Sequence, residues 1–237
     1  MIRTIALTAA FALGATAATA ASIKVETFSQ EAYQAYLAGT NRATAEDFEN
    51  IVPSSQELAL VTTAVGIFDT LGGKGTGSSV IGTGTDLAVR TKGKNHSGRK
   101  NTTPGGQFYL DSNDTFGIGW NVGLAGDMSF NSVAFSLSDA ADQGARLEIS
   151  AMGEVLDTLV KLPNANVKFV VISFEEMIQS AMINFTNFGK GETLRTNDGF
   201  GIDDATVASV SPVPVPAAGL LLLGALGGLG LRARRKA

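Results

Sequence analysis

Carboxylates are the side chains best placed to do chemistry in this chain, and the most informative pair is Asp203-Asp204, which follows Asp198-Gly199-Phe200-Gly201-Ile202. In a strand over 202–207, Ile202, Asp204 and Thr206 would share one face while Asp203, Ala205 and Val207 share the other. One carboxylate must then point toward the core. An unpaired buried carboxylate is costly, so it requires backbone donors, a basic partner or a metal ion. Amides of the Gly199–Gly201 turn could supply the donors as readily as a cation could. A second group, Asp111-Ser112-Asn113-Asp114, opens like a calcium loop of the EF-hand type. Thr115 and Phe116, however, stand where that loop needs an oxygen ligand and a glycine, so it is not an EF-hand. The plainer reading of Asp111, Asn113 and Asp114, and equally of Asp139 and Asp142, is turn capping.

Other chemistries are excluded by what is missing. The 237 residues contain no cysteine and one histidine, His96, which rules out thiolate nucleophiles, cysteine zinc sites, iron-sulfur clusters and multi-histidine metal centres. A serine hydrolase would have to use His96 in a basic, glycine-flanked loop, and no Gly-x-Ser-x-Gly elbow is present. A glycosidase needs two carboxylates facing one cleft. Glu175-Glu176 would point to opposite faces of a strand, and no other pair stands in a recognisable motif. The glycine-rich stretch 72–78 lacks the Gly-Lys-Ser/Thr ending of a phosphate-binding loop. Arg90, Lys92 and Lys94 would share a face of an extended segment. Together with Arg99 and Lys100 they could hold an anionic polysaccharide, but a solvated loop is the default reading. Sugar recognition favours flat rings with a polar edge. Against 13 Phe there are three Tyr and one Trp, leaving Tyr109 and Trp120 as the only central ring candidates, and a structural role is the plainer reading of Trp120.

The elements that must position these groups are short strands. Glycine reaches 28 residues, and turn clusters separate segments that alternate apolar and polar: Val133, Phe135 and Leu137; Leu147, Ile149 and Ala151; Val167, Phe169 and Val171; Ile183 and Phe185. An early helix is predicted over 29–38, with Ser29 as N-cap and Gly39 closing it. The pattern predicts an all-β, antiparallel β-sandwich across 21–211.

The two ends differ in kind from this body. Met1–Ala20 reads as a signal peptide: Arg3, an apolar run, then small residues closing on Ala18-Thr19-Ala20. Residues 212–237 combine a proline-rich motif, an apolar helix over about 217–231, and the basic cluster Arg232, Arg234, Arg235 and Lys236. At 1.5 Å per residue that helix is about 22 Å long, short of the roughly 30 Å hydrocarbon core, so it spans only marginally. Its basic flank favours the cytoplasmic side, consistent with an N-terminal signal exporting everything between. The ends hold five of the 18 basic residues and none of the 22 acids, so the net charge of −4 becomes −9 in the body. Such a body disfavours nucleic acid and suits calcium.

The motif Val213-Pro214-Val215-Pro216-Ala217, with its helix and arginine cluster, resembles the C-terminal sorting tail of the VPLPA-CTERM group, a variant of the PEP-CTERM proteins of Gram-negative bacteria. Val215 stands where that group has leucine. The resemblance implies recognition of the tail by an exosortase-type membrane protease, export across the inner membrane, and delivery to the cell envelope or surface. Residues 45–49, 110–114, 135–142 and 198–204 resemble the bodies such tails carry, which implies a jelly roll rather than a barrel. In such jelly rolls the first and last strands pair, bringing Phe48-Glu49 near Asp203-Asp204. A calcium site of Glu49, Asp203 and Asp204 follows as a candidate. The expected function is a surface-sorted, non-catalytic β-sandwich associated with extracellular polysaccharide or biofilm matrix. A purely structural or adhesive surface protein, or a glycoside hydrolase, is the alternative.

Overall fold

The computed structural model describes residues 20–51, 56–75, 81–91, 98–189 and 198–211. The predicted signal peptide up to Thr19, the sorting motif Val213–Ala217, the 217–231 helix, the terminal basic cluster, Lys92 and Lys94 all lie outside them. Among the described residues no helix is long and apolar enough to cross a membrane.

The elements run β1 (Ala21–Thr27), α1 (Gln30–Ala38), β2 (Thr40–Glu46), β3 (Glu57–Leu58), β4 (Leu60–Thr63), β5 (Gly66–Thr70), β6 (Leu87–Thr91), β7 (Phe108–Asp111) and β8 (Gly117–Gly123). After a 3-10 turn come β9 (Phe130–Ser138), β10 (Arg146–Ala151), β11 (Glu154–Val160), β12 (Val167–Ile178), β13 (Ser180–Phe188) and β14 (Gly201–Val210). They form two antiparallel sheets. The larger has the order β1-β12-β9-β14-β7-β6-β3, with β2 also on β14, and the smaller has the order β11-β10-β13-β8-β5-β4. The sheets share one apolar core. Trp120 of the smaller sheet stacks on Phe68 (4.8 Å) and meets Phe135 of the larger edge-on (6.1 Å), and Phe135 meets Phe185 (5.1 Å). The chain is thus an all-β antiparallel sandwich.

Two features of the larger sheet position the site. The first is α1, whose N-cap Ser29 accepts the Ala32 amide (3.1 Å). Gly39 closes the helix at φ −84°, so its left-handed freedom goes unused. The helix lies on the outer face of the sheet, where Phe28, Tyr33 and Tyr36 surround Phe169 edge-on at 5.9–6.2 Å. This revises the predicted face of β12. Val170, Ile172 and Phe174 face the shared core, while Phe169 and Val171 face the helix. Cover on both sides makes both faces apolar.

The second feature is β14. The last strand pairs with the second rather than the first: β1 pairs with β12, whereas β2 runs along Ala205–Val210 of β14. On its other edge β14 pairs with β9, but three steps from Asp203 to Thr206 match two from Ser136 to Ala134. The extra residue is a β-bulge with Asp204 at φ +50°. Alternation therefore breaks. Ile202, Ala205 and Val207 all join the core, so neither carboxylate has to point into it. The single-face argument from sequence assumed an unbroken strand.

Candidate functional site

Both aspartates of the bulge sit where β14 changes partner, between β7 at Gly201-Ile202 and β2 from Ala205 onward. The 102–103 segment fills that gap. Asp203 Oδ2 accepts the Thr102 amide (2.6 Å), the Thr103 amide (3.1 Å) and the Thr102 hydroxyl (3.1 Å). Asp204 accepts the hydroxyls of Thr102 and Thr103, both at 2.7 Å. Burial, then the neighbouring Asp204 charge, pushes the Asp203 carboxyl up to about 8. Asp203 Oδ1 is buried without a partner. Glu49 is committed elsewhere. Its Oε1 accepts the amides of Gln107 (2.6 Å) and Phe108 (2.8 Å) and the Asn101 side chain (3.2 Å), fastening the loop that enters β7. Glu49, Asp203 and Asp204 are therefore not drawn into one ligand set. Their oxygens are used to tie the 101–108 loop to the sheet.

Beside this clasp lies an open groove of about 440 Å³ between α1, the end of β2 and the 103–104 segment. Its lining includes Gln30, Gln34 and Asn50, the acids Glu46, Asp47 and Asp204, and the ring of Tyr33. Tyr33 is held in place by a hydroxyl contact to Thr206 (2.9 Å), and burial pushes its phenol up to about 12, so it stays protonated. Two of the acids are partly satisfied by their own backbone: Glu46 Oε1 accepts the Phe48 amide (2.8 Å) and Asp47 Oδ1 the Glu49 amide (3.1 Å). Burial raises the Glu46 carboxyl above its ordinary range. The groove thus sets amide and carboxylate groups beside the apolar Ala45, Ala64 and Pro104, with Tyr33 largely buried beneath it.

A second concentration of charge occupies one end of the sandwich, where β7 and β9 finish and β14 begins. Arg90 Nε pairs with Asp111 Oδ2 (2.9 Å), and Arg99 pairs with Asp111 (2.8 Å) and Asp114. Arg99 reaches Asp198 only at 3.6 Å. Asp111 and Asn113 do form a turn, with Asp111 Oδ1 accepting the Asn113 amide (2.7 Å), but the arginines bind the turn as well. Gly98 and Gly199 permit this crowding: a Cβ on the first would collide with the Asp139 carboxylate, and on the second with Asp114 and the Arg99 guanidinium. Next to Arg99, oxygens of Asp139, Asp142 and Asp198 all lie within 4.8 Å of one another. Burial, then contact with Asp198 and the charge of Asp139, pushes Asp142 up to about 7. Burial alone dominates at Asp139, pushed up to about 6.

The residues expected to face a glycan are differently placed. Arg90, Tyr109 and Trp120 are each 0% exposed. Trp120 donates its indole N–H to the Val65 carbonyl (3.1 Å) at the centre of the core, and Arg90 is consumed by Asp111. None can touch an external sugar, because a strand buried on both faces leaves no ring edge in solvent. The groove residues went unnoticed in sequence because Gln30, Gln34, Asp47 and Asn50 look like ordinary surface positions until β2 is known to flank β14. Turn clusters did mark the end of β9 at 138–142 and the approach to β14 at 198–199, a hint to the aspartate cluster. In comparisons with protein-family models and with curated proteins, nothing matches this chain.

Proposed function

We propose that the chain is an exported, surface-sorted, non-catalytic β-sandwich protein that associates with extracellular polysaccharide through the groove beside α1. The observation that carries this reading is the groove's lining, which brings together the amides of Gln30, Gln34 and Asn50 and the carboxylates of Glu46, Asp47 and Asp204. Such groups accept and donate hydrogen bonds to sugar hydroxyls. A body of net charge −9 directs the choice toward uncharged polymers, the more so as Arg90 of the anticipated basic patch is neutralised by Asp111. The carboxylates favour binding over hydrolysis. Glu46 Oε1 and Asp47 Oδ1 accept backbone amides, which fixes both carboxylates for binding, and Asp204 is tied to two threonine hydroxyls.

The sandwich is read as jelly-roll-like, entering the envelope of a Gram-negative bacterium by a signal peptide at Met1–Ala20. Its tail would be recognised at Val213–Ala217 by an exosortase-type protease, the basic cluster holding the 217–231 helix at the inner membrane until then. Co-sedimentation of the full chain with the producer's own exopolysaccharide tests the function. Asp47→Asn with Gln34→Ala should lower retention about tenfold, a loss of about 1.4 kcal/mol, without moving the thermal midpoint by more than a degree or two. Retention unchanged by the double variant would reject the groove. Absence of retention by the unaltered chain would reject polysaccharide association and leave a purely structural surface protein.

A further inference from the structure

We infer that the charged end of the sandwich carries a divalent-cation site of calcium type, with Asp139, Asp142 and Asp198 as its protein ligands. The oxygens of these three residues all lie within 4.8 Å of one another, the spread expected of ligands on one ion at 2.3–2.6 Å. An acidic cluster alone would not make a site, but here two buried carboxylate oxygens are left without a hydrogen-bond partner among the described residues. Asp139 and Asp142 are each 1% exposed, and Asp139 Oδ2 and Asp142 Oδ1 have no hydrogen-bond partner. Asp142 hydrogen-bonds the Asp198 side chain, another acid, so that contact supplies no compensating charge. Asp139 Oδ1 accepts the Ala165 amide (2.7 Å), which fixes the carboxylate's orientation and leaves Oδ2 free.

Charge counting points the same way. Five carboxylates (Asp111, Asp114, Asp139, Asp142 and Asp198) meet two guanidiniums, and both guanidiniums are directed mainly at Asp111 and Asp114. Among the described residues, Asp198 receives only the longer 3.6 Å contact from Arg99, and Asp139 and Asp142 make no ion pair. A 2+ ion would offset most of the remaining excess at the point where it is greatest. The ligand chemistry selects the ion. The donors are hard oxygens without nitrogen or sulfur, and the Asn164 side-chain oxygen lies close to Asp139 above Gly98. Carboxylate and carbonyl oxygens from loops, completed by water, suit the six to eight irregular positions of Ca²⁺ better than the strict octahedron of Mg²⁺. Asp198, 28% exposed in its side chain, is the face open to water and to the arriving ion.

The site is separate from the groove, and its test needs no glycan, so failure of either reading leaves the other standing. Thermal melts of the chelator-treated full chain are compared in 0–10 mM CaCl₂ and MgCl₂, with calorimetric titration for stoichiometry. One Ca²⁺ should bind per chain. At a Kd of about 10⁻⁴ M, 10 mM Ca²⁺ should raise the midpoint by roughly 5–10 °C, with a smaller response to Mg²⁺. Asp142→Asn should melt at or above the unaltered chain in chelator, because it removes one repelling charge, and should lose the calcium-induced rise. Asp198→Asn, at the exposed side, should lose the same rise and guards against a folding defect at Asp142. A midpoint indifferent to Ca²⁺, an equal response to Mg²⁺, or full calcium response in both variants would each overturn the assignment.

Discussion

At the scale of single residues, the controlling quantity is how each buried carboxylate is compensated. Arg99, 0% exposed, is the hub of one end of the sandwich, and its removal would leave Asp111 and Asp114 buried with reduced compensation. Arg99→Ala should therefore cost about 3–5 kcal/mol in urea denaturation, far more than an exposed ion pair such as Lys24–Glu26 could. Asp203 has the opposite problem: too many acceptors and no cation. Its folded pKa of about 8 lies above the ordinary aspartate value near 3.9, so the native chain holds this proton across an interval in which the unfolded chain releases it. The unfolded state then binds fewer protons, and stability falls as pH rises through that interval. The benefit is full below about pH 4 and is lost as pH climbs through about 8. Asp203→Asn should abolish this decline, which amounts to a few kcal/mol between about pH 4 and 8 and is followed as urea midpoints in chelator. A slope unchanged by the substitution would show that Asp203 is ionised in the fold.

At the scale of elements, α1 and the bulge in β14 do the positioning. Nine residues of helix are too few to persist alone, so α1 depends on docking against Phe169. Phe169→Ala should destabilise the chain by about 3–5 kcal/mol, and amide exchange should accelerate across Gln30–Ala38 before it does in β9 or β13. Uniform loss of protection would contradict a helix held by that ring. Much of this level was legible in advance. Ser29 announced the helix start, and the alternation of Val133, Phe135 and Leu137 announced an inner face that the core contains. The outer partner of Phe169 was not legible, because alternation gives two faces without saying what covers either. Nor was the bulge, since a strand carrying Asp203-Asp204 reads the same with one extra residue or without. Tyr109 and Trp120 were read as ring candidates for the same reason. Their burial depends on which strands flank β7 and β8, and that is long-range pairing.

At the scale of the whole molecule, a chain without cysteine is held by one aromatic-rich core between two sheets and by polar ties across their edges. Local signals were sufficient for the sandwich itself, because each strand's pattern is written in its own residues. The groove is assembled from segments far apart in sequence: α1 and β2 from the first 50 residues, 103–104 from the middle, Asp204 from the end. That convergence is set by β2 pairing with β14, and no spacing in the chain encodes it. The central claim is that this convergence makes a glycan groove. Amide NMR of the full chain titrated with oligosaccharides cut from the producer's exopolysaccharide tests it most directly. Shifts confined to Gln30–Gln34, 45–50 and 103–104 are predicted. Shifts elsewhere, or none at saturating oligosaccharide, would contradict it.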